Sequence, residues 1–140
     1  MKKTSEQMNK SIVLEAFETL FNRRDLREAE KFWSPDYIQH SAHIAPGRHG
    51  LFDLVRNLPA TLKYENRLIM AEGDLLMLHG RFSGIGQTAD WIVVDIVRMN
   101  EGQLVEHWDV IQDEATAKSS RSGLPMFGNI FPDAKQDGAK

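Results

Sequence analysis

The stretch WIVVDIVRMNEGQLVEHWDVIQ, residues 91–112, decides the fold because it is typical of two strands joined by a tight turn. Apolar and β-branched residues fill both halves, and the polar segment 100–102, Asn-Glu-Gly, separates them. Side chains alternate between the two faces of a strand. One face of the second strand then carries Val105, His107, Asp109 and Ile111, and the other carries Leu104, Glu106, Trp108 and Val110.

Pairing Met99 with Gln103 across this turn gives a predicted register for the hairpin. It sets three further pairs: Val97 with Val105, Asp95 with His107, and Val93 with Asp109. Asp95, His107 and Asp109 then share a face with Trp91, Val93, Val97 and Ile111. The opposite face carries Ile92, Val94, Ile96, Leu104, Trp108 and Val110, with Arg98 and Glu106 near its edges. Both faces are apolar, so we expect both to be covered.

The three titratable groups interrupt a face that is otherwise apolar. Enclosed carboxylates cost free energy unless they are paired, hydrogen-bonded or protonated, and groups perturbed in this way concentrate at functional sites. The alternative for Asp95 and His107 is an exposed cross-strand ion pair, which needs no function. The second carboxylate, Asp109, favours a pocket, with Asp95 and His107 partly neutralising each other.

The preceding sequence predicts α+β architecture. Residues 62–84 indicate a second hairpin around Glu72, Gly73 and Asp74. Upstream, the spacing of apolar residues predicts a long helix that begins at Ser5. It also predicts a short helix that Asp25 caps and that includes Phe32 and Trp33. A third helix follows and ends at Pro59. Residues 37–41 form a short extended piece between them. Helices followed by an antiparallel meander indicate helices gathered on one face of a sheet.

Length and charge narrow the classes of function. The chain has 140 residues, which suits one domain, 1–132, with a flexible tail at 133–140. The net charge is -3 and the basic residues are scattered, so we expect no nucleic-acid or membrane partner. There are no cysteines, and neither a signal peptide nor a membrane span is apparent, so we expect a cytoplasmic protein.

The apolar segment LPMFGNIFP, 124–132, should dock on the sheet or on a second subunit.

Four pieces of sequence carry a resemblance to a known family: YIQH, AEGDLLMLHGRFSG, VVDIVRMNEGQLVEHWDVIQ and the terminal LPMFG…FP. In their order and spacing they resemble the SnoaL-like polyketide cyclases of the NTF2-like superfamily, from Ser5 to about Pro132. The nearer match is the subgroup described as predicted SnoaL-like aldol-condensation enzymes. The resemblance implies a cone-shaped, curved antiparallel sheet that wraps around N-terminal helices and encloses a pocket.

The resemblance also implies an intramolecular aldol condensation without metal or cofactor. The acid–base aspartate of the family falls on Asp109, its pocket asparagine on Gln39 and its pocket histidine on Asp95. The last two are departures, because glutamine lengthens the arm and aspartate replaces a potential cation by a carboxylate. The loop GIGQTAD, 84–90, is also short for a polycyclic substrate. These differences concern the substrate more than the pocket.

The remaining polar residues give weaker predictions. His40, His43 and His49 match no metal signature, so we expect no metal site. His40 is expected at the pocket or its mouth, and His79 is equally compatible with the pocket and the surface. The predicted catalytic residues are therefore Asp109, His107 and Asp95, and the predicted substrate-binding residues are Gln39, His40, His79, Trp91 and Tyr37.

Three functions fit these residues. The first is acid–base catalysis without a cofactor on a small hydrophobic or carbonyl compound, by cyclisation or isomerisation, with Asp109 as the base and Gln39, His40 or His107 as the hydrogen-bond donor. The second is a lyase or hydrolase that uses an Asp95–His107 dyad. The third is a non-catalytic ligand binder. The resemblance and the apolar sheet back around Trp108 further predict a homodimer.

Overall fold

The computed structural model describes residues 4–133, and the predicted tail lies outside them except for Asp133. The helices are α1 (Ser5–Phe17), α2 (Leu26–Ala29) and α3 (Gly47–Asn57), with a π-helical turn at Glu18–Asn22 after α1. The strands are β1 (Trp33–Gln39), β2 (Lys63–Glu72), β3 (Leu75–Ser83), β4 (Trp91–Asn100) and β5 (Gln103–Asp113). The predicted α+β class is confirmed. No helix among residues 4–133 is long and apolar enough to cross a membrane.

The five strands form one curved sheet in the order β1-β5-β4-β3-β2. Both predicted hairpins are present, but the edge strand β1 pairs in parallel with β5. Trp33 begins this strand, so the prediction that the second helix extends through Trp33 is wrong. Pro35 accounts for the difference, because proline disfavours helix at the residue before it and is tolerated in an edge strand.

The register of the second hairpin differs from the predicted one. Its turn consists of two residues with positive φ, Glu101 at 50° and Gly102 at 78°, as a tight hairpin turn of type I′ requires. Asn100 therefore pairs with Gln103, and a bulge follows in β5. Beyond the bulge, Val97 lies opposite His107, Asp95 opposite Asp109 and Val93 opposite Ile111.

The slip of two residues keeps Asp95, His107 and Asp109 on one face, because the side-chain period of a strand is two. The bulge changes the faces closer to the turn. Val105 is the extra residue there, and Leu104 pairs with Met99 and packs in the core with only 1% of its surface exposed. Leu104 was expected on the opposite face from His107, and that expectation is wrong.

The inner face of the sheet packs against α1, the π-helical turn and α3. Phe17 of α1 lies at the centre of this core, with its ring 5.1 Å from that of Tyr64 and 6.4 Å from that of Trp33. Each large apolar side chain buried in this way contributes about 1.5–3 kcal/mol. A cavity lies between the helices and the inner face of the sheet.

The outer face of the sheet is covered only in part. The segment after β5 docks on it, as expected, through Phe127, whose ring lies 4.6 Å from the guanidinium of Arg81. Arg81 in turn donates to the buried carboxylate of Glu114 at 2.6 Å. Elsewhere Val110 is 67% exposed and Leu68 56% exposed. The expectation that both faces are covered is therefore wrong for the single chain.

Candidate functional site

The cavity opens between the inner face of the sheet and the helices, with a volume of about 660 Å³ including the space at its mouth. Its walls are mainly aromatic and aliphatic. The rings that line it belong to Phe17, Phe21, Trp33, Tyr37, Phe82 and Trp91. A concave, mostly apolar cavity with a few converging polar groups is the usual form of a small-molecule site.

Asp95, His107 and Asp109 converge on one wall of this cavity. One side-chain atom of each, a ring nitrogen or a carboxylate oxygen, lies within 4.8 Å of those of the other two. The register explains this, because Asp95 faces Asp109 directly across β4 and β5 while His107 follows on the same face. Asp95 is 4% exposed and His107 is 6% exposed, whereas Asp109 is half-buried.

A chain of hydrogen bonds holds His107 from both sides. Its Nδ1 lies 2.6 Å from the Oε1 of Gln39, and its Nε2 lies 2.6 Å from the Oδ1 of Asp95. The backbone N–H of Ser41 donates to the same Gln39 Oε1 at 2.9 Å, and the amide nitrogen of Gln39 donates to the Tyr37 hydroxyl at 3.2 Å. These contacts assign Oε1 as the acceptor, so the Nδ1 of His107 is the atom that donates to it.

The Asp95 carboxyl is the most deeply buried of the three groups. Burial raises its pKa, the hydrogen bond and charge of His107 lower it, and the carboxylate of Asp109 raises it again, with a net shift upward. Its Oδ1 faces His107, while its Oδ2 is buried without a hydrogen-bond partner among the described residues. One proton therefore lies on the short contact between Asp95 and His107, carried by the carboxyl or by the imidazole.

Asp95, His107 and Asp109 are also the residues that lie close enough together to share a metal ion within the part of the chain that the structure describes. A cation bound there would have to displace one of the two hydrogen bonds of the His107 ring, to Gln39 or to Asp95. The histidine cluster considered from the sequence is dispersed. His43 lies at the cavity, while the exposed His40 and His49 do not line it.

The structure brings most of the predicted site residues together. Asp95, His107, Asp109, Trp91 and Tyr37 line the cavity. Gln39 does not line it but lies behind His107, because the parallel pairing of β1 with β5 places these two residues side by side. The predicted contact of Gln39 with substrate is therefore replaced by a contact with His107.

His40 and His79 lie elsewhere, which corrects their prediction as residues of the pocket. The ring of His40 stacks on that of Trp108 at 4.8 Å, and its Nε2 lies 2.7 Å from Glu106. The ring of His79 lies 5.9 Å from that of Phe127 on the outer face. His79 lies on the outer face because side chains alternate along β3, and Leu78 and Gly80 occupy the inner positions.

Sequence reasoning missed two contributions to the site. Phe17 and Phe21 were interpreted only as the apolar face of a helix, and they also line the cavity. The backbone N–H of Ser41, which fixes the Gln39 amide, leaves no mark in the sequence beyond its position two residues after Gln39. Helix periodicity reports burial but does not distinguish a packed core from a cavity wall.

Comparisons with known proteins agree with this arrangement. The sequence profile of the SnoaL-like polyketide cyclase family matches residues 11–119. The structure of AclR, "a putative hydroxylase" from Streptomyces galilaeus, shares 31% identity, with a TM-score of 0.63 over 78% of this chain and 81% of that one. No curated protein sequence matches the chain significantly.

Two more distant structures show the same fold. The first is IdmH, "a putative polyketide cyclase" from Streptomyces antibioticus, with 19% identity and a TM-score of 0.60 over 74% of this chain and 91% of that one. The second is a "putative ketosteroid isomerase" from Kribbella flavida, with 14% identity and a TM-score of 0.69 over 91% of this chain and 98% of that one. At these identities the likeness concerns the fold alone.

The raised pKa of Asp95 predicts how the stability of the protein depends on pH. Its ordinary value is 3.8, so the folded protein holds this proton more tightly than the unfolded chain does. This tighter proton binding stabilises the folded state, and its contribution is complete below about pH 4. The contribution is lost as the pH rises through the folded-state pKa of Asp95. We expect the free energy of unfolding of the wild type, measured by urea denaturation, to fall relative to that of Asp95→Asn as the pH rises above about 4.

The groups that face Asp95 are His107, Asp109 and two tyrosines, Tyr37 and Tyr64, whose pKa values burial raises so that they stay neutral. The matched control is Asp113→Asn, which changes an exposed carboxylate at the end of β5. It should track the wild type across the series. A wild-type stability that rises with pH relative to Asp95→Asn would contradict the assignment.

Proposed function

The chain belongs to the SnoaL-like polyketide cyclase family, and we propose that its cavity carries out acid–base catalysis without a cofactor on a small carbonyl compound. One observation carries this proposal: Asp95, His107 and Asp109 converge within 4.8 Å on the wall of an otherwise apolar cavity. Proton removal next to a carbonyl serves both aldol cyclisation and isomerisation. Such a reaction needs a base and a donor for the enolate oxygen, and it needs no group from outside the chain.

Asp109 is the base in this proposal. The neighbouring Asp95 is engaged with His107, whereas no hydrogen bond to the side chain of Asp109 is found within residues 4–133. Asp109 is also the more exposed of the two carboxylates, so a bound substrate can reach it more readily than the buried Asp95. Two facing carboxyl groups in different surroundings can serve different roles.

Tyr37 is the donor that the geometry favours for the developing enolate oxygen. Tyr37 lines the cavity, and its hydroxyl accepts a hydrogen bond from Gln39, so its own proton is free to be donated. Burial raises the pKa of Tyr37, so the proton stays on the hydroxyl. The donors expected from the sequence are less suitable, because His107 is engaged at both nitrogens and His40 lies outside the cavity.

A lyase or hydrolase that uses Asp95 and His107 as a dyad is the second candidate. The 2.6 Å contact between the Nε2 of His107 and Asp95 is the observation in its favour. A histidine that activates water must present one nitrogen to that water, and the Nδ1 here is directed at Gln39 instead. A non-catalytic ligand binder would use the same cavity without proton transfer.

Asp109→Asn tests the assignment of the base. With β-tetralone as the probe, wild-type protein should accelerate the exchange of the protons next to the carbonyl for solvent deuterium. We expect Asp109→Asn to reduce that acceleration by about a hundredfold or more, since an amide cannot take up the proton. Proton NMR in deuterium oxide follows the exchange directly.

The matched control for this experiment is again Asp113→Asn, which leaves the cavity unchanged and should exchange at the wild-type rate. An Asp109→Asn protein as fast as the wild type would rule out Asp109 as the base. Saturable binding of β-tetralone with no accelerated exchange by the wild type would instead favour the ligand binder.

We also propose that two copies of the chain pair through the outer face of the sheet. This face exposes a band of apolar side chains on four of its five strands: Ile38, Leu68, Met70, Met77 and Val110. A single chain rarely leaves such a band open to water. The band spans several neighbouring strands of one sheet, so the same surface of a second copy could cover it.

Size-exclusion chromatography with light scattering tests the pairing. At micromolar concentration we expect twice the mass of one chain, and Val110→Lys should lower it, because a lysine would place its charge in an apolar contact. Met8→Lys is the control, since Met8 is also an exposed apolar side chain but lies on α1, away from the outer face of the sheet. A wild type that elutes as a single chain would contradict the proposal.

A further inference from the structure

The turn that follows the π-helical segment contains a residue in a strained backbone conformation. Arg24 has a φ of 52°, and within residues 4–133 the one other non-glycine residue with a positive φ is Glu101 in the hairpin turn. A residue with a side chain adopts such an angle at a cost in energy, and it persists only where the surrounding structure fixes it. The surroundings of Arg24 should therefore include contacts that hold it in place.

The side chain of Arg24 makes these contacts at the C-terminal end of α3. Its Nη2 donates to the backbone oxygens of Val55 at 2.6 Å and Leu58 at 2.8 Å, and its Nη1 donates to that of Pro59 at 2.6 Å. The last carbonyl groups of a helix have no partner within the helix, and a cation near them also interacts favourably with the helix dipole. One guanidinium group therefore holds the C-terminal end of α3.

The same turn is attached to the sheet through Asn22. The amide Nδ2 of Asn22 donates to the backbone oxygen of Tyr64 at 3.0 Å, and its Oδ1 accepts the backbone N–H of Tyr64 at 2.7 Å. Tyr64 lies in the edge strand β2, so Asn22 pairs with it much as a neighbouring strand would. Residues 22–24 thus form a bridge between the edge of the sheet and α3.

This bridge connects two walls of the cavity. Leu54 of α3 and Leu58 directly after it line one side, and Asp109 lies on the wall that the sheet forms. The N-terminal end of α3 has its own attachment, since Arg48 donates to the backbone oxygen of Trp33 at 3.1 Å. With both ends of the helix attached, the distance between α3 and the sheet is fixed.

We propose that Arg24 is a positioning residue that sets the width of the cavity and so limits the size of the compound that binds there. This deepens the proposed function, on which it rests only in taking the same cavity as the substrate site. Without the Arg24 guanidinium, the C-terminal end of α3 loses three hydrogen bonds, and its cavity-lining side chains can move away from the sheet. A larger compound then fits, and a smaller one is held less firmly against Asp109.

Two ketones that differ by one fused ring, indanone and fluorenone, test this role. Quenching of tryptophan fluorescence reports their binding, because Trp33 and Trp91 line the cavity. We expect Arg24→Gly to shift the ratio of the two dissociation constants about tenfold in favour of fluorenone, since the additional ring is then accommodated. Glycine adopts a positive φ without strain, so this substitution removes the contacts of the side chain without disturbing the backbone.

A purely structural role of Arg24 would lower the melting temperature of Arg24→Gly and leave the ratio of dissociation constants unchanged. That result, or a shift of the ratio toward indanone, would overturn the proposal. A wild type that binds neither ketone would count against the cavity as a site for ketones, and so against both this proposal and the proposed function.

The matched control is Arg56→Gln, which removes an arginine of α3 that pairs with the exposed Asp53 of the same helix. It should keep the wild-type ratio. Asn22→Ala removes the attachment of the bridge to β2 and should shift the ratio in the same direction as Arg24→Gly, and an unchanged ratio would overturn the bridge.

A second substitution keeps the test decisive if the glycine variant does not fold. Arg24→Lys replaces the guanidinium by a single ammonium group, which cannot reproduce the contacts of two separate nitrogens. We expect a smaller shift of the ratio in favour of fluorenone, of about threefold. An unchanged ratio in Arg24→Lys would then overturn the proposal.

Proton exchange of β-tetralone separates this proposal from the proposed function. In Arg24→Gly we expect the maximal exchange rate to fall about tenfold while the half-saturating concentration changes less than about threefold, because the ketone still binds but is misplaced against Asp109. Normal exchange with an unchanged ketone ratio in this variant would count against the role of Arg24 alone. A shifted ratio, with no exchange by the wild type, would count against the catalytic role alone.

Discussion

The contact between His107 and Asp95 is the interaction on which the rest of the site depends. A carboxyl group that is 4% exposed among apolar side chains cannot remain ionised without a partner, and the Nε2 of His107 supplies one at 2.6 Å. His107 can do so only while its ring is held in place. Gln39 holds it from the opposite side, and the backbone of Ser41 holds Gln39.

The edge strand β1 holds the His107 ring in place as well as extending the sheet. Because β1 runs parallel to β5, Gln39 lies beside His107 with both side chains on the inner face. The same pairing places Tyr37 two residues earlier at the cavity wall, where the Gln39 amide donates to its hydroxyl. One strand therefore positions the histidine and a candidate donor for the substrate oxygen together.

Asp95 and Asp109 show how position alone separates two identical side chains. They face each other across two strands, yet one is buried and paired while the other is half-buried at the cavity. Like charges directly opposite in a sheet are destabilising, and the proton shared with His107 relieves that repulsion. The result is one carboxyl group that anchors and one that is free to react.

The sequence alone predicted the fold class and the shared face of Asp95, His107 and Asp109, because strand alternation survives a slip of two residues. It did not predict the register, since that depends on positive φ at Glu101 and on a bulge at Val105. Gln39 was recognised through the family resemblance, but its role needed the parallel pairing of β1, a contact between residues 68 positions apart. His40 and His79 were misplaced because the sequence does not show which face of a curved sheet borders the cavity.

Nitrogen-15 NMR of the imidazole rings tests the central claim most directly, because it reports which nitrogen of His107 carries a hydrogen. The spectrum of His107→Gln identifies the signals of His107 by their absence. The account predicts that the Nδ1 of His107 is protonated in the folded wild type at neutral pH, since it donates to the Oε1 of Gln39. A wild-type His107 with a bare Nδ1 and a hydrogen on Nε2 alone would contradict it.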